Sequence, residues 1–163
     1  MKQARADSFK AVAEEWLEQQ SKKLAPVTLK KAQWLLGLVI TSIGNKPIGE
    51  IKAPALLQAL RKIEKDGRHE TAHRAKQRCG QVFRYGIATG RCEHNIAADL
   101  KDALAPVVTT HRAAITKPNA IGELLRAIDG FAGQPSTVAA LKLLPMVFTR
   151  PGELRQSAWE EFD

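Results

Sequence analysis

Residues 67–78 read GRHETAHRAKQR, and within them His69, Glu70 and His73 match the H-E-x-x-H spacing of zinc proteases. In that pattern two imidazoles one helical turn apart hold the metal while the glutamate acts as a base. The chemistry needs a third protein ligand. The metzincin continuation that would supply one fails, because Lys76 stands where a glycine belongs. Glu93 falls in the loop sequence GRCEHN with no helix to place it, and Arg68, Arg74, Lys76 and Arg78 crowd the position with like charge. No metal site is expected, and no cofactor.

The same stretch supports a different chemistry. Arginine and lysine neutralise phosphates, and an arginine fork combined with glutamine amides can read base edges in a groove wide enough to admit a helix. On a helix, Thr71, Arg74, Gln77, Arg78, Gln81 and Arg84 gather on one side. His73 lies near the helix start, where backbone N–H groups can also face phosphate. Between Arg68 and Arg91 six basic residues stand against one acid, so five of the chain's +8 charges lie in this segment. Thr28, Lys30 and Lys31 form a second polar and basic patch on an earlier helix. Further along, an apolar run from Leu143 to Phe148 ends at Arg150, with Glu153 three residues later. A buried helix that delivers a guanidinium at its end holds that group rigidly, and a nearby carboxylate orients it. Tyr85 is the one tyrosine; its place at a helix end suits packing or a phosphate contact.

Helices must position all of these residues, because apolar residues recur at helical spacing and strand signals are nearly absent. The first helix is expected over 8–20, capped by Asp7 or Ser8, with Phe9, Val12, Ala13, Trp16 and Leu17 on one face. A second starts after Pro26 and turns Leu29, Ala32, Leu36, Val39 and Ile40 inward; Trp34 stands opposite that stripe, which suits a stacking surface or, better, a helix covered on both sides. A loop, SIGNKPIGEI, leads to a third helix over 53–65 closed by Asp66-Gly67. The fourth, over 69–89, buries Ala72, Ala75, Cys79, Val82, Phe83, Gly86 and Ile87. A short helical stretch is expected at NIAADL, then an interdomain linker over 101–115, then helices over 119–128 and 136–148. The divisions are 1–100, 101–115 and 116–163, and the last has few residues for an independent core.

With 163 residues and 44% hydrophobic content the chain can bury a core, and its net charge of +8 points to a polyanionic partner. The sequence holds no apolar run of about 18 residues, as a membrane span requires, and no secretory leader. A soluble, cytoplasmic protein with two passive thiols, Cys79 and Cys92, is expected.

The segment TRPGELRQSAW, residues 149–159, resembles the first active-site arginine motif of tyrosine recombinases in the prophage integrase branch, and IGNKPIGEI and GRHETAHRAKQRCGQVFRYGIATGR are similar to that branch's core-binding domain. NIAADL departs from the pattern, since the branch commonly has proline after the asparagine. The resemblance implies a mainly α fold: a four- to five-helix, SAM-like core-binding bundle followed by the first helices of a mixed α/β catalytic domain. It implies double-stranded DNA as partner, with the second and fourth helices against the grooves and the two domains closing as a clamp, and self-association on DNA in the full-length protein. Arg150 would contact the scissile phosphate and Glu153 would support it. The family's reaction is a transesterification through a phosphotyrosyl link. Its remaining catalytic residues lie downstream of the matching segment, so a chain ending at Asp163 is expected to be inert, an interior portion or a truncated gene product. The other function class compatible with these residues is a non-catalytic DNA-binding module or integrase remnant.

Overall fold

Prolines, glycines and one capping serine decide where the helices begin and end. The computed structural model describes residues 7–108 and 113–161. Among the described residues it is mainly helical, with seven α-helices and two short 3-10 turns, and the only β feature is one antiparallel bridge, Ser8 to Pro47. The chain divides into two units, Met1–Thr109 and Thr110–Asp163.

In the first unit, α1 (Phe9–Ser21) is capped by Ser8, whose side chain accepts from the N–H of Ala11. Two further N–H groups of the first turn find carbonyls across the chain: Phe9 donates to Lys46 (2.9 Å) and Lys10 to Gly44 (3.0 Å), while Ile48 N–H returns a bond to Asp7 (2.8 Å). The glycine- and proline-punctuated loop is therefore the second half of the α1 cap. Then come α2 (Pro26–Ile43), a 3-10 turn (Ile48–Glu50), α3 (Ala53–Lys65) and α4 (His69–Ala88). The α3–α4 turn and the exit from α4 both use glycine in left-handed backbone, Gly67 at φ 73° and Gly90 at φ 71°, where a Cβ is costly.

The core joins Phe9, Val12 and Trp16 of α1 to Leu36 and Val39 of α2, Leu56 and Leu60 of α3, and Ala75, Val82 and Phe83 of α4. The Phe9 and Phe83 rings meet at 5.6 Å in a tilted pair, a favoured aromatic geometry. Cys79 is fully buried, and burial pushes its thiol up to about 12, which makes it inert. The α2 stripe differs from the expected one. Because α1, α3 and α4 all pack on α2, its buried row is Ala32, Leu35, Leu36, Val39 and Ile43, whereas Leu29 and Ile40 are half-buried. Ile87, in the last turn of α4, is exposed rather than in the core. Trp34 is 49% exposed, so no second layer of this unit covers α2.

NIAADL forms turns and no α-helix. The Asn95 side chain accepts from Ala97 N–H at 3.2 Å, offering the backbone an alternative to the helical ladder. Of the stretch read as a linker, Leu104 is buried in the first unit and Ala103 packs against it, while residues 109–112 lie outside the described ones.

In the second unit α5 (Pro118–Asp129), α6 (Pro135–Val147) and α7 (Pro151–Gln156) each begin with proline, whose missing N–H costs nothing at the first helical position. A salt bridge from Lys142 Nζ to Asp129 Oδ1 (2.7 Å) ties α6 to the end of α5. The helix expected to be buried is not: among the described residues none of this unit is buried. Three short helices do not enclose an interior, and Leu124, Leu125, Phe131, Met146, Phe148 and Trp159 are left exposed.

One polar network braces the first unit. Glu15 on α1 accepts from Tyr85 Oη of α4 (2.7 Å) and from Arg91 beyond it. The Arg91 and Tyr85 hydrogen bonds hold the Glu15 carboxyl below its ordinary value of 4.5. A depressed carboxyl contributes stability above its unfolded value and loses it as pH falls through the folded one. Glu15→Gln is therefore expected to melt below the parent at neutral pH, with the gap narrowing as the pH drops under about 4.5. Melting curves across pH 3–7 check this; a gap that stays constant would assign the effect to shape rather than charge.

Candidate nucleic-acid interface

The first halves of α2 and α4 run beside a groove of about 580 Å³. From α2 it is lined by Val27, Thr28, Lys31 and Leu35; from α4 by Glu70, His73, Arg74, Gln77 and Arg78. Leu35 is a buried core residue, so the groove floor is apolar and its walls are polar and cationic. The opposite side of α4 carries the buried row Ala72, Ala75, Cys79, Val82, Phe83 and Gly86, and this fixes the polar row outward.

Six of the residues singled out by type thus come together: Thr28, Lys31, His73, Arg74, Gln77 and Arg78. Gln81 joins them through Arg78, whose Nη1 donates to its side chain at 2.8 Å. Arg84 continues the same face of α4 one turn beyond Gln81 and is exposed. Lys30 and Thr71 are not in the groove lining.

The cationic patch is narrower than its formal charge. Arg74 Nε is paired with Glu70 at 2.7 Å and Arg68 with Asp66 at 2.5 Å. Arg91 is neutralised by Glu15 and Lys76 Nζ donates to the Leu100 carbonyl (3.1 Å). Among the described residues Arg78 and Arg84 have no acidic partner, and Lys31 stands across the groove from Arg78.

The HETAH residues turn to three separate partners. Glu70 takes Arg74; His69 Nδ1 lies 3.7 Å from Glu64 Oε1; His73 Nε2 meets the Ala105 carbonyl at 2.8 Å. Glu93 lies in a different hollow of about 630 Å³, with His94 and Asp99. No group of three or more His, Cys, Asp or Glu suited to a metal occurs among the described residues. Sequence spacing could not reveal what His73 does. The Ala105 N–H donates to Glu64 Oε1 at 2.8 Å while the Ala105 carbonyl meets His73, so α3 and α4 side chains hold both polar atoms of one peptide residue that follows the bundle.

In the second unit Arg150 stands immediately before α7. Its N–H donates to Glu153 Oε2 (3.0 Å) and its Nη1 to Glu153 Oε1 (3.2 Å), while the side chain is 87% exposed. The carboxylate orients the arginine, and the guanidinium lies open to solvent.

Glu64→Ala removes the acceptor of the Ala105 N–H. Hydrogen exchange at that amide is expected to accelerate about tenfold, with a stability loss of about 1 kcal/mol. Unchanged exchange would show that the Ala105 peptide is held by packing alone. A zinc chelator is expected to leave the melting temperature of the parent unchanged.

Comparison with known proteins places these elements in context. Residues 9–103 match the model of the phage integrase central domain. IntB of Escherichia coli K12 is 32% identical over 163 residues, covering 100% of this chain and 41% of its own length. The integrase of Enterobacteria phage P4 is 29% identical over 167 residues, 99% of this chain and 38% of its own. Prophage integrase IntS of Escherichia coli K12 is 31% identical over 168 residues, 96% of this chain and 41% of its own. The chain thus spans about two fifths of the length of these relatives. A solution NMR structure of a fragment of phage integrase IntS superimposes with a TM-score of 0.54 at 36% identity, covering 60% of this chain and 84% of that one.

Proposed function

Because this chain belongs to the phage integrase family, whose central-domain model spans residues 9–103, we propose that its four-helix unit binds duplex DNA as part of a site-specific tyrosine recombinase. The observation that carries the reading is the groove between α2 and α4. It gathers Lys31, Arg74 and Arg78 with Gln77, Thr28 and His73 on the outward side of a helix whose other side is core. Arg78 and Lys31 neutralise phosphates and release counterions; Gln77 and Gln81, spaced one turn apart, suit the hydrogen-bonding edges of bases. Arg74 would exchange Glu70 for a phosphate, which the exposure of both side chains permits. Lys30, Thr71 and Arg84 flank this surface as further phosphate contacts.

Arg150, oriented by Glu153, is assigned to the phosphate at which strand exchange occurs. A guanidinium there stabilises charge developing on the phosphoryl oxygens. The reaction also needs a tyrosine nucleophile, and Tyr85 does not suit it: its hydroxyl donates to Glu15, and that bond raises its pKa, opposing the phenolate. Residues 116–163 are read as the start of the catalytic domain, and the 163-residue chain as a DNA-binding piece that does not cleave. A second reading, a DNA-binding remnant whose parent never cleaves, shares the groove and differs only in the fate of the phosphate at Arg150.

Arg74→Ala combined with Arg78→Ala is expected to weaken duplex binding at least tenfold and to flatten the salt dependence by about two counterions. His69→Ala with His73→Ala is expected to cost much less. Affinities measured across a salt series check this, and equal losses in the two double variants would overturn the groove assignment. A covalent protein–DNA adduct formed by this chain would overturn the assignment of Tyr85.

A further inference from the structure

Beyond α4 the chain doubles back along the same helix that forms one wall of the groove. Residues 95–105 meet α4 at three points in reverse order, each about one helical turn from the last. Ala97 lies over Gly80, where an added Cβ would come to 3.5 Å from the Ala97 Cβ. The Leu100 carbonyl accepts from Lys76 Nζ at 3.1 Å, and the Ala105 carbonyl meets His73 Nε2 at 2.8 Å. Ala97, Leu100 and Leu104 of this strap are buried. Residues 73, 76 and 80 form one stripe of α4, which borders the groove residues Arg74, Gln77 and Arg78. His73 belongs to both the stripe and the groove.

The strap ends in a hold on both polar atoms of one residue. While its carbonyl meets His73, the Ala105 N–H donates to Glu64 Oε1 at 2.8 Å. The Glu64 side chain is only 12% exposed, so that bond is largely shielded from competing water. Between the holds at Leu100 and Ala105 the chain passes through Asp102 at φ 60°. Left-handed backbone is unfavourable for a residue with a Cβ and persists where its surroundings fix it. Three residues past the clip, Val108 is 87% exposed.

We propose that Glu64 and His73 are positioning residues that clip the chain to the bundle at the edge of the groove, and that through His73 a duplex in the groove tightens the clip. Opening the clip frees the imidazole to sample other rotamers, an entropy gain that favours release. A phosphate backbone over the groove confines the imidazole, so release gains less while the duplex is bound. By reciprocity the closed clip favours the duplex by the same factor. The coupling deepens the DNA-binding reading above and rests on it; the clip itself does not.

Amide exchange at Ala105, followed by NMR on the full chain and its variants with and without a mixed-sequence DNA duplex, tests both parts. Without DNA, H73A is expected to exchange about tenfold faster than the parent. H73Q, whose side-chain amide can donate to the same carbonyl, is expected to recover most of that protection. A duplex at saturating concentration is expected to slow exchange in the parent about threefold and to leave H73A unchanged. R74A/R78A, at the duplex concentration that saturates the parent, is expected to lose the slowing. If H73A and H73Q both exchange like the parent without DNA, the clip is overturned. If the duplex slows the parent and H73A alike, the slowing is shielding by DNA and the coupling is overturned. If the parent binds no duplex, the groove reading falls and the coupling with it, while the DNA-free comparison still decides the clip.

Discussion

The burial of one face of α4 is the constraint on which the first unit depends. Ala72, Ala75, Cys79 and Gly86 are small, and they let α4 lie close to its neighbours, while Val82 and Phe83 fill the space between. At Gly86 a Cβ would come within 2.9 Å of Cys92 Sγ and 3.1 Å of Ile48 Cδ1, so the loop after α4 and the 3-10 turn before α3 close directly onto the helix backbone. A helix seated this way has little freedom to rotate. Its cationic row is therefore presented at a fixed angle, and the groove against α2 keeps its shape without a ligand.

Electrostatics then sorts the charges into two kinds. Arg91, Arg68 and Lys76 spend their hydrogen bonds inside the unit, on Glu15, Asp66 and the Leu100 carbonyl. Arg84, Lys30 and Lys31 remain exposed, and Arg78 is half-buried with only Gln81, a neutral partner, in contact with its guanidinium among the described residues. An exposed ion pair such as Arg74 with Glu70 is worth little in water, so exchanging that carboxylate for a phosphate costs little. The net positive charge of the chain is in this sense a poor guide to where the proposed DNA would sit. The unpaired subset, gathered along α2 and the outer row of α4, is the better one.

How much of this was legible follows from the range of each signal. Helix positions in the first unit could be read closely, since Pro26, Asp66-Gly67 and the 3.6-residue period of α4 act within a few residues of where they stand. The core of α2 was read less well, because three neighbours share it and a single-stripe template does not say which arc they cover. The groove residues on α4 were legible by type and face, whereas their pairing with Thr28 and Lys31 depends on two helices distant in sequence. The Tyr85–Glu15 and His73–Ala105 bonds join residues 70 and 32 apart, and no local pattern encodes either. HETAH is the opposite case: its spacing is that of a metal site, which its basic neighbours already argue against, and its geometry turns each side chain to a separate partner.

The second unit follows a different rule from the first. Its helices are placed by three N-terminal prolines and one salt bridge, which are local devices and operate without an interior. Its apolar residues, by contrast, are at most half-buried among the described ones, as Leu141, Leu143, Leu144 and Leu154 are, while Leu124, Leu125 and Met146 are exposed. The Arg150–Glu153 arrangement belongs to the local class, since a helix start and a carboxylate three residues on are enough to form it. The orientation of the arginine is thus set by nine residues of sequence, 148–156, while the low-dielectric surroundings that would make it a strong phosphate ligand are not supplied by the helices around it. Positioning and activation of that guanidinium are separable, and this unit provides the first.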